Sequence, residues 1–176
     1  MAKAVNIYLI GARACGKTTL GRKLAAALKR PFVDTDRRIH MATGKTVAEI
    51  VEGGGWEAFR DAETDVLDEV ALYSGQVVSC GGGIVLRPQN AEVLARGIVL
   101  YLQAPAEVLA ERLARNPENA QRPSLTGQSI VDEVRQVLAE RAGLYESLAH
   151  AALPADAPLA ELVEQALAVV KRLERR

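Results

Sequence analysis

Short apolar runs alternate with longer amphipathic segments along this chain. This pattern is typical of βα units, which build a parallel sheet covered by helices on both faces. Five runs are short and apolar, and they predict strands over 5–10, 32–34, 77–80, 98–102 and 151–153. The pattern therefore predicts an α/β fold with a five-stranded parallel sheet flanked by helices.

Apolar residues at helical spacing fill most of the stretches between these strands. The first predicted helix covers 20–28 and ends before Pro31, since proline cannot continue a helix and disfavours helical geometry in the preceding residue. Further helices are predicted over 105–114, 130–148 and 159–173.

Two segments depart from this regular alternation. An insertion over about 37–73 carries a short helix at 47–51, three flexible glycines at 53–55 and then a second helix. The segment over about 116–127 is polar apart from Leu125 and is broken by proline and glycine, so it predicts a mobile lid.

Composition narrows the possible classes of protein. The 176 residues suffice for one domain with a sizeable core, so 1–176 is treated as a single domain. A formal net charge of zero argues against a general binder of nucleic acid or anionic membranes. Cys15 and Cys80 form no disulfide framework or zinc motif, which favours a reducing cytoplasm. No apolar run is long enough to span a bilayer or to serve as a signal-peptide core.

The strongest chemical signal follows the first predicted strand. Residues 11–18 read GARACGKT and satisfy the eight-position P-loop pattern, in which backbone N–H groups cradle phosphates at a strand-to-helix turn. Lys17 can reach the outer phosphates, and Thr18 can offer its hydroxyl to Mg²⁺. An insertion beside such a loop is expected to bind the acceptor of the phosphoryl group.

Two carboxylates follow the second predicted strand. Asp34 and Asp36 lie where ligands bind in an open α/β sheet, outside the carboxyl ends of the strands. One aspartate can hold Mg²⁺ while the other faces an acceptor hydroxyl, because alternation along a strand would turn the neighbours to different sides. A solvated acidic turn is the alternative for an isolated pair, and the position beside the P-loop favours the functional interpretation.

The third predicted strand runs into three glycines, 81–83, where a Walker B strand would end in an acidic metal ligand. The missing acid puts more weight on Asp34. Consecutive glycines let backbone N–H groups approach a ligand closely, although a bare turn that needs positive φ would also use one or two of them.

Three arginines are candidates for binding anions. Arg141 falls on the apolar stripe of its helix and is expected to point inward, either snorkelling along the stripe or meeting a buried anion or carboxylate. Arg60 follows Trp56 and Phe59 and can project into a cleft, although an i,i+3 pair with a neighbouring glutamate is also open. Arg122 lies in the predicted lid and can close over the transferred phosphoryl group, or it can be an ordinary surface arginine.

Taken together, these segments resemble one family. GARACGKTT, VDTD, WEAFRDAE, SCGGG, QRPSLTG and ERAGLYESLA occur in the order and spacing of the shikimate kinases, over nearly the whole chain. The resemblance implies a P-loop NTPase of the nucleoside-monophosphate-kinase-like fold. It also implies transfer of the γ-phosphoryl group of ATP to the 3-hydroxyl of shikimate, in the pathway to chorismate and the aromatic amino acids.

The same resemblance assigns roles to individual residues. Lys17, Asp36 and Arg122 are the implied catalytic residues, and Thr18 and Asp34 the implied Mg²⁺ ligands, Asp34 through water. The implied shikimate-binding residues are Asp36, Trp56, Phe59, Arg60, Gly81, Gly82, Gly83 and Arg141. The implied ATP-binding residues are Gly11, Ala12, Arg13, Ala14, Cys15, Gly16, Lys17, Thr18, Thr19, Arg112, Arg122 and Pro158.

Some points stay open at this stage. Arg112 matches the arginine that packs on adenine in the family, and Arg115 competes for that role.

Two other functions are considered: a different small-molecule kinase, such as a gluconate or adenylate kinase relative, and a nucleotide-binding regulatory subunit without turnover. The former should lack paired inward arginines around an aromatic wall, and the latter would have no use for Asp36 and Arg122. The protein is expected to be a cytoplasmic monomer with shikimate and ATP as its partners.

Overall fold

The computed structural model describes residues 4–116 and 124–175. Five parallel strands form one sheet in the order β2-β3-β1-β4-β5, which confirms the predicted sheet. The strands are β1 (Ile7–Ile10), β2 (Phe32–Asp34), β3 (Val77–Ser79), β4 (Ile98–Gln103) and β5 (Ala151–Pro154). The central strand β1 pairs with β3 on one side and with β4 on the other, so the P-loop that follows it leaves from the middle of the sheet.

Seven α-helices are described around this sheet, together with a short 3-10 helix over Ile84–Leu86. They are α1 (Lys17–Leu28), α2 (Thr35–Thr43), α3 (Val47–Ala71), α4 (Pro88–Leu94), α5 (Ala106–Arg115), α6 (Ile130–Leu148) and α7 (Leu159–Glu174). Within these described residues, no helix is both long and apolar enough to cross a membrane.

The sheet has a hydrophobic core on each of its two faces. Side chains alternate along β1, so that Ile7 and Leu9 enter one core while Tyr8 and Ile10 enter the other. The first core includes apolar residues of α1, α5 and α7, and the second includes those of α2, α3 and α4. Strands buried on both faces read as continuous apolar runs, which explains why β1 and β4 were predictable from the sequence.

The structure adds elements that the apolar pattern did not predict. Helices α2 and α4 and the 3-10 helix lie in segments left without helices in the sequence interpretation. Helix α2 is short and largely polar, and it begins because the Asp34 carboxylate caps it by accepting a hydrogen bond from the Arg37 N–H. Helix α1 begins at Lys17 rather than at 20, because its first turn is polar and carries no apolar signal.

The glycine triplet of the insertion separates two helical segments as predicted, and the boundary between them is the non-helical Gly55. Gly53 and Gly54 are helical, and α3 runs through the triplet with one kink at Gly55, whose φ is 72°. The predicted lid over 116–127 lies mostly outside the described residues, and so does the catalytic candidate Arg122.

Candidate active site

A cleft of about 910 Å³ opens at the carboxyl ends of β1, β2 and β3. The P-loop, the β2–α2 junction and the glycines that follow β3 line one part of it, and Arg112 with residues near the start of α7 lines another. The cleft therefore lies where the doubly wound topology brings several strand ends together.

The P-loop owes its shape to residues in the left-handed region. Gly11 has a φ of 145° and Gly16 a φ of 96°, and Ala14 also has a positive φ. A Cβ on Gly11 would lie 2.7 Å from the Leu102 carbonyl oxygen and 2.9 Å from the Cys15 sulfur, so a larger residue cannot fit there. Lys17 Nζ donates hydrogen bonds to the carbonyl oxygens of Gly11 at 2.8 Å and Ala12 at 2.9 Å. The loop thus holds its lysine at the mouth of the cleft.

Hard oxygen donors meet at the start of α1. The Thr18 hydroxyl donates to Asp34 Oδ2 at 2.8 Å and lies 3.4 Å from the Ser79 hydroxyl. The other Asp34 oxygen caps α2, which fixes the orientation of the carboxylate. Mg²⁺ prefers oxygen ligands and needs only one or two carboxylates beside phosphate oxygens, so this donor set fits the metal. Ser79 was not among the predicted site residues, because the sequence interpretation looked for an acid at this strand end.

The side chains of Asp34 and Asp36 point in different directions, as predicted, but the structural cause is different. Asp36 lies in the first turn of α2 and not on the strand, so strand alternation does not separate the two carboxylates. The change from extended to helical backbone at Thr35 does so instead. Asp34 faces Thr18, while Asp36 lies close to Gly81 beside a second carboxylate.

That second carboxylate is Glu63, which pairs with Arg60 inside the protein. Arg60 is 8% exposed and Glu63 is 1% exposed, and their side chains form a short ion pair. The Arg60 guanidinium also lies over the rings of Trp56 and Phe59, 5.5 Å from each ring centre. Burial raises the pKa of Glu63, while Arg60 opposes the shift and the nearby Asp36 adds to it.

Glu63 is the main residue of this region that the sequence interpretation missed. The sequence gives it only as a helical neighbour that can pair with Arg60. A glutamate on the apolar face of α3, between Phe59 and Val66, was the signal that could have identified a buried carboxylate.

Two of the three glycines after β3, Gly81 and Gly83, are explained by close approach and not by turn geometry. None of them has a positive φ. A Cβ on Gly81 would lie 2.5 Å from Glu63 Oε1 and 2.9 Å from Asp36 Oδ1, and one on Gly83 would overlap the Arg60 guanidinium. Gly81 and Gly83 therefore leave room for the charged side chains that pack against this loop.

Arg141 points inward, as its position on the apolar stripe predicted. It is 7% exposed, and its Nε has no hydrogen-bond partner among the described residues. Its positive charge lowers the pKa of both Glu63 and Tyr145, against the effect of burial, so the guanidinium lies near both groups. Arg60 and Arg141 are thus two inward arginines on different helices, and Arg60 pairs with the buried Glu63.

The predicted acceptor residues do not all line the large cleft. Asp36, Gly81 and Gly82 line it, whereas Trp56, Phe59, Arg60, Gly83 and Arg141 are not among its lining residues. Arg141 instead borders a small neighbouring cavity of about 40 Å³, together with Ala12 and residues of α6. His40 also lines the large cleft, although the sequence interpretation gave it no role.

The structure separates the two arginines considered for adenine. Arg112 lines the cleft and donates hydrogen bonds to the carbonyl oxygens of Ala14 and Ala155. Arg115 is exposed and pairs with Glu111 one turn away. Pro158 caps the start of α7, and its neighbours Ala157 and Leu159 line the cleft. The geometry favours Arg112 over Arg115 for an adenine contact, which stays a prediction.

Comparison with known proteins agrees with this geometry. The family model described as shikimate kinase matches residues 13–171. The chain is 52% identical over 169 residues to shikimate kinase 2 of Syntrophotalea carbinolica, covering 95% of this chain and 97% of that protein. It is 46% identical over 170 residues to the shikimate kinase of Nitratidesulfovibrio vulgaris, covering 96% and 97%.

A solved structure shows the same similarity in three dimensions. The shikimate kinase of Acinetobacter baumannii, determined in complex with shikimate, superposes with a TM-score of 0.91 at 35% identity and covers 98% of this chain and 96% of its own. A matching family model over most of the chain, close relatives of nearly equal length and this superposition lead to one conclusion. The chain belongs to the shikimate kinase family.

Proposed function

We propose that the chain transfers the γ-phosphoryl group of ATP to the 3-hydroxyl of shikimate, giving shikimate 3-phosphate and ADP. One observation carries the choice of acceptor. Across the glycine loop from the P-loop lie two inward arginines, of which Arg60 pairs with the buried Glu63 and lies over an aromatic wall. A small ring that carries one carboxylate and several hydroxyls matches this combination of cations, anions and an apolar surface.

On the donor side, backbone N–H groups of 11–18 and the start of α1 hold the phosphates of ATP. Lys17 neutralises charge on the transferred group. Thr18 and Asp34 would hold Mg²⁺, and their mutual hydrogen bond supports this assignment. When bound, Mg²⁺ would neutralise charge on the phosphate oxygens.

On the acceptor side, Arg60 and Arg141 hold the carboxylate of shikimate and Gly82 offers its backbone N–H. Asp36 orients the ring hydroxyls and accepts the proton of the attacking 3-hydroxyl. Trp56 and Phe59 form the apolar wall, and Gly81 and Gly83 keep the neighbouring backbone free of side chains. The position of Asp36 supports this role, because Asp36 borders the same cleft as Lys17.

The remaining contacts complete the proposal. Arg112 packs on adenine near Pro158, because it crosses from α5 to the backbone of Ala14 and Ala155. Arg122 arrives from the lid and stabilises the transferred phosphoryl group. The reaction is a direct in-line transfer without a covalent enzyme intermediate, so positioning and charge neutralisation supply the catalysis. Lid closure excludes water, which would otherwise compete as an acceptor.

A coupled assay of ADP release tests the proposed reaction. ATP is offered with shikimate, quinate or gluconate in parallel, with Mg²⁺ and again with excess chelator. We expect rapid release with shikimate and Mg²⁺ and little release with gluconate. Release with gluconate alone would assign the chain to another kinase class, and no acceptor-dependent release would favour a nucleotide-binding subunit without turnover.

We also propose that the chain acts as a single domain over 1–176, as a monomer and in the cytoplasm, without nucleic acid or membrane partners. Both cysteines are free and buried, which suits a reducing compartment. Sedimentation of the purified protein over a range of concentrations tests the assembly state.

A further inference from the structure

Tyr145 is a buried polar group on α6 that the proposed chemistry does not use. It lies one turn after Arg141, is fully buried, and stacks on Tyr101 with ring centres 5.1 Å apart. Its hydroxyl donates a hydrogen bond of 2.5 Å to the carbonyl oxygen of Gly82. This bond joins residues 63 positions apart, so it links α6 directly to the glycine loop.

The other polar atoms of the glycine loop show why this bond matters. The Gly81 N–H donates to the Thr35 hydroxyl, the Gly81 carbonyl accepts from Ile84, and the Gly83 carbonyl accepts from Leu86. The Gly82 carbonyl is held by Tyr145. Among the described residues, the N–H groups of Gly82 and Gly83 donate to no protein acceptor. These N–H groups are therefore available to a ligand.

Planarity of the peptide connects the held carbonyl to an available N–H group. The Gly82 carbonyl and the Gly83 N–H belong to one rigid trans unit and point in opposite directions. A glycine pair without side chains has wide rotational freedom, so one hydrogen bond to the carbonyl sets the direction of that N–H group. An N–H group whose direction is already fixed binds an anion more tightly than one that loses conformational freedom on binding.

The same hydroxyl lies at the junction of three parts of the site. Burial raises the pKa of Tyr145 to about 12, and the nearby charge of Arg141 opposes that shift. A Cβ on Gly82 would lie 3.6 Å from the Gly11 carbonyl oxygen, which places this glycine against the P-loop. Tyr145 thus contacts the loop that separates the acceptor side from the donor side.

We infer that Tyr145 is a positioning residue for the acceptor: its hydroxyl holds the Gly82 carbonyl and so fixes the direction of the Gly83 N–H group, which addresses the carboxylate of the acceptor together with the Arg141 guanidinium. This inference rests on the proposed function. Tyr145 itself does not touch the acceptor and acts through Gly82.

The test compares Tyr145→Phe with the matched control Tyr101→Phe. Both variants keep the stacked rings and remove one phenolic hydroxyl, but the Tyr101 hydroxyl makes no hydrogen bond to a described residue. For each variant, kcat and the KM values for shikimate and ATP are measured, together with shikimate binding by fluorescence of Trp56, the single tryptophan. Thermal unfolding reports on the folded state.

We expect Tyr145→Phe to raise the shikimate KM and dissociation constant about five-fold, as loss of one ordinary hydrogen bond implies. The ATP KM should stay unchanged and kcat should change less than the shikimate KM. Tyr101→Phe should match wild type in every kinetic value.

An unchanged shikimate KM in Tyr145→Phe overturns the inference, and so does an equal rise in Tyr101→Phe, which would indicate general loosening of the core. Loss of folded protein in Tyr145→Phe alone overturns it as well, because the hydroxyl would then be structural. Wild-type protein that fails to turn over shikimate contradicts the proposed function instead.

Discussion

The donor and acceptor sides of the cleft are built in different ways. The donor side comes mainly from one contiguous stretch, 11–19, whose backbone does most of the binding and whose Lys17 and Thr18 are only half-buried. The acceptor side gathers charged groups from α2, α3 and α6, and two of its arginines and one glutamate are almost fully buried. A short motif therefore suffices for phosphate, whereas recognition of the acceptor depends on packing between distant segments.

Burial changes what each charge contributes. A charge on the exposed donor side is compensated largely by water and ligand, so removing it affects catalysis more than folding. A charge buried beside another charge supports the fold as well, since its partner would be left without compensation in a medium of low polarity. The following experiments distinguish these two situations.

The largest effect is expected on the donor side, from Lys17→Ala. Loss of the cation that neutralises the transferred group should lower kcat by about 1,000-fold, with little change in the free energy of unfolding. ADP release and thermal unfolding measure the two quantities. The control is Lys23→Ala on the exposed face of α1, which should behave as wild type. Loss of folding in Lys17→Ala would show that the two sides do not differ in the way described.

The next effect concerns the half-buried Asp36 at the border between the two sides. Asp36→Asn keeps the shape but removes the proton acceptor, so kcat should fall by about 100-fold. Steady-state kinetics with saturating shikimate and ATP measure the change. Asp65→Asn, on α3 and exposed, is a suitable control. Full turnover in Asp36→Asn would eliminate the proton-accepting role.

Arg60 should show both contributions of a buried charge. Arg60→Ala should raise the shikimate KM by about 10-fold or more and lower the free energy of unfolding by about 3 kcal/mol, because Glu63 is left without its cation. Adding Glu63→Ala should restore part of the stability and none of the acceptor binding. Denaturant unfolding and kinetics of both variants separate the two effects.

The surface pair of Arg87 with Asp61 provides the contrast for this prediction. Arg87→Ala should lower the free energy of unfolding far less than Arg60→Ala does and leave the shikimate KM unchanged, since exposed ion pairs contribute little. A cost equal to that of Arg60→Ala would show that burial does not govern these pairs.

The smallest effect is a pH dependence that originates in Glu63. Its pKa is raised above the ordinary value of 4.5 by burial, so the folded protein binds this proton more tightly than the unfolded chain does. The resulting stability is present below 4.5 and is lost as pH rises through the folded pKa. Relative to Glu63→Gln, wild type should therefore lose stability with rising pH in this window, by at most about 1.4 kcal/mol per pH unit.

Denaturant unfolding of wild type and Glu63→Gln at a series of pH values measures this difference. Other carboxylates are common to both proteins and cancel in the comparison. If the difference in free energy of unfolding between the two proteins does not change with pH, or changes in the opposite direction, that result would contradict a raised pKa at Glu63.

Much of the fold was predictable because its signals are local. The buried strands appear as apolar runs, and the positions of β2 and the centres of the long helices agree with the predicted ones. Helix α2 was missed because nine mostly polar residues carry no apolar stripe and depend on the Asp34 cap. The break at the glycine triplet was predicted correctly, because Gly55 adopts a positive φ that interrupts the helix, while Gly53 and Gly54 stay helical.

The donor side of the site was more predictable from the sequence than the acceptor side. The sequence by itself determined the P-loop, its strand and helix, and the inward direction of Arg141, because spacing along one segment fixes which residues share a turn or a face. Only the tertiary structure decided that Glu63 lies between Arg60, Gly81 and Asp36, and that Tyr145 holds Gly82. These contacts join residues far apart in the chain, so they depend on how α3 and α6 pack against the sheet, which local periodicity does not specify.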